Sequence, residues 1–126
     1  MASASFEFRE KMSARLLDFV IRIMKLESKL SNSYSGKHVY GQLFRSGTSA
    51  GANFEESIGA ESKADFIHKT QIVLKELRES NYWLRLISKS NIIPCDNDDL
   101  VFLLTESFEF IKIFSSSIIT AKQIKK

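Results

Sequence analysis

Apolar residues recur along most of the chain at steps of three and four, the period of a helix with one buried face. Leu16, Phe19, Val20, Ile23, Leu26 and Leu30 make the first stripe and predict a helix over residues 6–31. The run SNSYSGK then supplies turn residues. A second helix is expected over 37–58, with Val39, Leu43, Phe44, Gly47, Ala50, Phe54 and Ile58 on its stripe and Gly59 at its end. The third is expected over 63–90. Ser62 is placed to cap it and Asp65 to complete a capping box. Its stripe is Phe66, Thr70, Val73, Leu77, Asn81, Leu84 and Ile87, and Pro94 forbids its continuation.

The fourth helix is expected over 97–122. Asp96 is its candidate N-cap, Asp98 and Asp99 suit the positive end of its dipole, and the basic run KQIKK suits the other end. Leu100, Leu103, Leu104, Ser107, Phe108, Ile111, Phe114 and Ile118 are its expected core positions. Four long helices joined by short loops predict an all-α, up-down antiparallel four-helix bundle, one domain over residues 1–126.

Composition agrees. The 126 residues include 5 glycines and 1 proline, too few breakers for a turn-rich β protein. No apolar run is long enough to span a membrane, and charges interrupt the N-terminal apolar positions, so neither a membrane helix nor a signal peptide is expected. The single cysteine, Cys95, can form no internal disulfide, and a reducing, cytoplasmic setting is expected.

The chain carries more apolar surface than one bundle needs. Twelve of the twenty residues from Leu100 to Ile119 are apolar, whereas a core-facing helix needs about three in seven. Phe102, Phe110 and Ile113 fall off the expected core stripe and are candidates for a subunit interface. Leu17, Ile21 and Met24 flank the stripe of the first helix, and Ile72, Trp83 and Leu86 that of the third.

Little points to catalysis. A di-metal bundle needs two Glu-x-x-His motifs. Asp65-Phe66-Ile67-His68 imitates one, and the other histidine, His38, has Ser35 three residues before it. SGTSAG lacks the lysine of a phosphate-binding loop, and the DNDD segment lacks the glycine and final glutamate of a calcium loop. No catalytic residue, metal or cofactor is expected. Gly47-x-x-x-Gly51, with Ala50 and Ala52, instead suggests a close helix crossing.

The net charge of +3 is mildly basic. Lys11, Arg15, Arg22, Lys25 and Lys29 share one side of the first helix, with Asp18 among them. They are the candidate nucleic-acid contacts, and Lys69, Lys75, Arg78, Arg85 and Lys89 add charge to the third helix less regularly. Repetition of such a patch around an oligomer would strengthen phosphate binding through multivalency.

Residues 45–87, RSGTSAGANFEESIGAESKADFIHKTQIVLKELRESNYWLRLI, closely resemble the four-helix-bundle proteins encoded in intervening sequences of bacterial large-subunit ribosomal RNA genes. Arg45, Ser49, Asn53, Glu56, Gly59, Ser62 and Phe66 match the wider family pattern, and Glu79, Tyr82 and Trp83 a closer branch. The resemblance implies structural roles for these residues, a ring-shaped homopentamer and no established enzymatic activity. A related bundle, the accessory variability protein of diversity-generating retroelements, binds nucleic acid and a reverse transcriptase. Gly59-Ala60-Glu61-Ser62 departs from the Gly-Arg-Lys-Ser of many members, so two potential phosphate-binding cations are absent from that turn. The function expected is that of a non-enzymatic homo-oligomer binding RNA or another nucleic acid through basic helix faces; the alternative is a protein-interaction scaffold.

Overall fold

The computed structural model describes residues 6–123. The outermost residues of the expected domain, and the end of the KQIKK run, lie outside them. Five helices follow in order: α1 (Phe6–Met24), α2 (Glu27–Leu30), α3 (Tyr34–Ile58), α4 (Lys63–Ser90) and α5 (Asp98–Gln123). The four long ones form the expected bundle. Arg15 meets Glu106 and Arg22 meets Asp99, Ile23 lies against Gly47, Ser46 meets Ser80, and Asn81 meets Ser107. With Ser13 meeting Glu55 and Lys69 meeting Glu56, the α1–α5, α1–α3 and α3–α4 pairs each run in opposite chain directions, so α5 is also antiparallel to α4, and α1 lies across the bundle from α4.

The predicted first helix is broken. After Met24 the Lys25 N–H is shared between the carbonyls of Ile21 and Arg22, and the Leu26 N–H bonds back only three residues, to Ile23. This tightened turn interrupts the α-helical hydrogen bonding between α1 and α2, while Leu26 and Leu30 stay buried and close that end of the core. The second long helix starts earlier than its stripe suggests, because Ser33 caps α3 by accepting the Gly36 N–H at 3.0 Å. Gly36 is required there, since a Cβ at that position would lie 2.0 Å from the Leu30 carbonyl oxygen.

Ser62 caps α4 as expected, accepting the Asp65 N–H at 3.0 Å, while the Asp65 carboxylate receives the Glu61 N–H at 3.3 Å. The other end of α4 stops at Asn91, whose left-handed φ of 58° suits an asparagine cap. The cap of α5 is Asn97, not Asp96: the Asn97 side-chain oxygen accepts the Leu100 N–H at 3.0 Å. Asp96 lies one residue too early for that bond.

The core joins the stripes of all four long helices. At its centre Phe19 meets Phe110 edge-on at 5.4 Å, and Phe54 meets Phe114 at 5.6 Å. Each such buried side chain contributes about 1.5–3 kcal/mol by leaving water. Here the pattern on α5 differs from expectation. The buried line is Leu100, Leu103, Ser107, Phe110, Phe114, Ile118 and Ala121. Phe110 has 0% exposure, so this interface candidate belongs to the chain's own core, whereas Phe108, expected inside, is 48% exposed. Ser107 keeps the three-four register, and Phe110 follows it where Phe108 does not. Phe102 and Ile113 are half-buried against the core edge.

Candidate functional site

The basic stripe expected on the first helix does not survive intact. Arg15 forks onto Glu106 of α5, with Nε at 2.9 Å and Nη2 at 2.6 Å from its two oxygens. That carboxylate raises the Arg15 pKa further above its ordinary value. Arg22 reaches Asp99 at 3.3 Å and lies 4.0 Å from the centre of the Phe102 ring. Both arginines therefore pin α1 to α5. Lys11, Lys25 and Lys29 remain exposed, without an ion pair among the described residues. Lys25 sits in the break and Lys29 on α2, so the line is interrupted as well as partly neutralised.

A more regular basic face lies on α4. Lys75, Arg78, Tyr82, Arg85 and Lys89 step by three and four and are all exposed. They span about 21 Å on the side of the helix away from its buried stripe. None of the four cations makes an ion pair among the described residues; Arg85 instead donates to the Asn81 side-chain oxygen at 2.8 Å. Lys69, which blurred this pattern in the sequence, is tied to Glu56 at 2.6 Å and points away from the line. The signal was available as a heptad-like spacing of cations around one tyrosine.

The family-motif residues fall into two groups. Glu56, Gly59, Ser62 and Phe66 surround the turn from α3 to α4: Gly59 ends α3, Ser62 caps α4, and Phe66 is half-buried. Arg45, Ser49, Asn53, Glu79 and Trp83 join one polar network across α3 and α4. Its centre is Glu76, which the sequence reading missed. The Glu76 side chain is only 8% exposed, and it receives Arg45 Nη2 at 3.3 Å and the Ser49 hydroxyl at 3.2 Å. Arg45 also meets Glu79 at 2.6 Å, while the Trp83 indole N–H donates to the other Glu79 oxygen at 3.0 Å. Asn53 donates to the Ser49 carbonyl at 2.9 Å. The Arg45 guanidinium, aided by the indole, holds the Glu79 carboxyl below the usual carboxylate range; Glu79, then Glu76, raises Arg45. Glu76 could have been suspected from its place between Val73 and Ser80, both inward positions.

Aromatic rings gather beside this network. Tyr82 and Trp83 are edge-on at 5.0 Å, and His38 of α3 meets Trp83 at 6.1 Å. Tyr82 is 50% exposed, and the Arg85 guanidinium lies 5.9 Å from its ring centre. On the opposite side, Leu17, Ile21 and Met24 of α1 are exposed. Leu17 also lines an open, largely apolar groove with Val20, Gly51 and Ala52. Gly47 serves a close crossing, since its missing Cβ would meet Ile23 Cδ1 at 2.6 Å, but Gly51 faces open space. His68 and Cys95 are exposed, and among the described residues no three His, Cys, Asp or Glu side chains group as metal ligands.

An all-α up-down bundle, clamped by a motif-borne polar network between α3 and α4, defines the class. The chain belongs to the 23S rRNA-intervening sequence protein family, whose model matches residues 11–116. It is similar to a crystal structure of a protein of unknown function from the S23 ribosomal protein family of Bacteroides thetaiotaomicron. The two share 37% identity with a TM-score of 0.74, over 84% of this chain and 96% of that one. No match is found among curated proteins. No helix among the described residues is long and apolar enough to cross a membrane.

Proposed function

We propose that this protein is a non-enzymatic, self-associating bundle that binds RNA or another nucleic acid through basic helix faces. The observation that carries the reading is the α4 line: four exposed cations, none paired to a carboxylate among the described residues, on the helix's outer side. Lys11, Lys25 and Lys29 add a weaker second patch. Exposed Leu17, Ile21 and Met24 support self-association, and a ring, pentameric by family resemblance, repeats each patch around its circumference. The lone exposed Cys95 fits a reducing, cytoplasmic setting.

Light scattering and nucleic-acid titration test the two halves separately. Association is expected to rise with protein concentration and to fall in Leu17→Lys. RNA affinity is expected to fall steeply with salt. A strictly monomeric protein at high concentration refutes the first half, and no RNA binding even at low salt refutes the second. One observation favours a protein-interaction scaffold instead: Arg15 and Arg22 are engaged within the bundle while the α1 apolar face stays open. A nuclease-insensitive specific protein partner, with no RNA binding, would decide for that reading.

A further inference from the structure

Resting on that nucleic-acid reading, we propose that the ligand of the α4 face is single-stranded nucleic acid, with a base stacked on Tyr82. Four cations alone would serve any polyanion. What distinguishes this face is the aromatic residue at the middle of the line and the rings behind it. Tyr82 follows Arg78 by four residues and precedes Arg85 by three, so phosphate-reaching groups flank it along the helix axis. The residue is 50% exposed, although a side chain of this size is usually covered when its role is packing.

The ring is also held in place. Trp83 meets it edge-on at 5.0 Å, and Trp83 is itself fixed by its bond to Glu79 and by the edge of His38. A rigid, exposed π-surface loses little freedom when a base settles on it, and stacking accepts every base. The Arg85 guanidinium, 5.9 Å from the ring centre, is placed to reach the phosphate of the stacked nucleotide. Duplex bases are already stacked on each other and do not present their faces. A duplex can therefore use the cations but not the ring.

The carboxylates are arranged consistently with this role. Glu76 and Glu79 are the acidic residues of α4 between Lys75 and Lys89, and both are held by Arg45. Neither belongs to the outer line, so a strand following that line meets cations and the tyrosine.

The test uses the intact protein with a fluorescently labelled mixed-sequence RNA oligonucleotide, the same sequence as a duplex, and polyglutamate. Anisotropy gives affinity over a range of salt. Emission of Trp83, the only tryptophan, reports contact at the aromatic cluster. The single strand is expected to bind more tightly than the duplex and to quench Trp83. Tyr82→Ala is expected to weaken single-strand binding about 5- to 150-fold, with Tyr82→Phe retaining it and the salt slope unchanged. Lys75→Gln and Lys89→Gln should each reduce the slope by about 0.7.

Equal binding of duplex and single strand, with Tyr82→Ala unchanged, overturns the stacking inference while leaving nucleic-acid binding in place. Polyglutamate binding as tightly as RNA also overturns it, since only charge is then read. No salt-sensitive binding of either RNA form overturns the underlying reading itself, and the inference with it. Because Tyr82 is outside the core, circular dichroism of Tyr82→Ala should match the parent.

Discussion

Gly36→Ala is expected to destabilise the fold, although alanine is the better helix former. The added Cβ would lie 2.0 Å from the Leu30 carbonyl oxygen and 2.9 Å from Ser33 Oγ. Real Cβ atoms essentially never come within 3.0 Å of such neighbours, so the turn between α2 and α3 must open by about 1 Å. The first obstacle is backbone, which cannot rotate aside as a side-chain tip can. Overpacking of this kind costs about 1–3 kcal/mol. Displacing Ser33 also weakens the α3 N-cap, worth about 1 kcal/mol. Improved helix propensity returns up to about 1 kcal/mol. The net expectation is a loss of about 1–3 kcal/mol, or about 4–12 °C in Tm for a chain of this size. Gly41→Ala is the matched control. Nothing lies within 4 Å of its added Cβ, so it should stabilise by about 0.5–1 kcal/mol. Thermal unfolding followed by far-UV circular dichroism, at one fixed protein concentration, measures both. Equal Tm values for Gly36→Ala and the parent would refute the steric reasoning.

Three further outcomes are expected. Thr70 is buried and its hydroxyl has no hydrogen-bond partner among the described residues, so Thr70→Val should stabilise by about 1 kcal/mol in urea unfolding; a loss would mean that the hydroxyl is satisfied. Asn97→Ala should cost about 1 kcal/mol by removing the α5 cap, whereas Asp96→Ala should change little, and the reverse order would move the cap back to Asp96. The Glu79 carboxyl titrates below its unfolded value because of Arg45 first and Trp83 second. Its contribution to stability is therefore complete above the ordinary carboxylate pKa of about 4.3 and is lost as pH falls through the lower, folded value. Exposure of Arg45 keeps that contribution small, at most about 1 kcal/mol. Glu79→Gln should flatten this part of the acid-unfolding profile, read by Trp83 fluorescence, and an unchanged profile would exclude the pair as its source.

Periodicity made the bundle legible because each long helix buries one narrow stripe. Thr70, Val73, Leu77, Asn81, Leu84 and Ile87 were all expected inside and are buried. The break at Lys25 is hidden in the sequence because Leu26 and Leu30 continue the stripe's spacing beyond it. On α5, abundance was the obstacle. With aromatics at 102, 108, 110 and 114, spacing alone allowed two stripes, and contact with Phe19 selects the one containing Phe110. The basic stripe of the first helix is partly neutralised for a different reason. Helical position predicts which residues share a side, but not that Glu106 and Asp99 of another helix will meet Arg15 and Arg22.

That distinction explains why the α4 face, whose spacing is present in the sequence, is separated from its carboxylates only in three dimensions. From Lys75 to Lys89 the chain carries Lys75, Arg78, Arg85 and Lys89 against Glu76 and Glu79, a mixed run that reads as an ordinary solvated surface. Folding sorts it. Glu76 turns inward to Ser49 and Arg45, and Glu79 is held between Arg45 and Trp83. One arginine from α3 thus answers both carboxylates, and the cations of α4 are left to the outer side. Arg45, Ser49 and Asn53 need not touch a ligand to matter for binding. Arg45 and Ser49, the latter braced by Asn53, clamp α3 to the α4 carboxylates, and Arg45 shares Glu79 with Trp83, which packs beside Tyr82. Arg45→Ala would free two carboxylates beside the α4 cations. It should weaken RNA binding more than the loss of one surface charge does, and the excess over Lys89→Gln at low salt measures that release. Equal losses in the two variants would confine Arg45 to a local structural role.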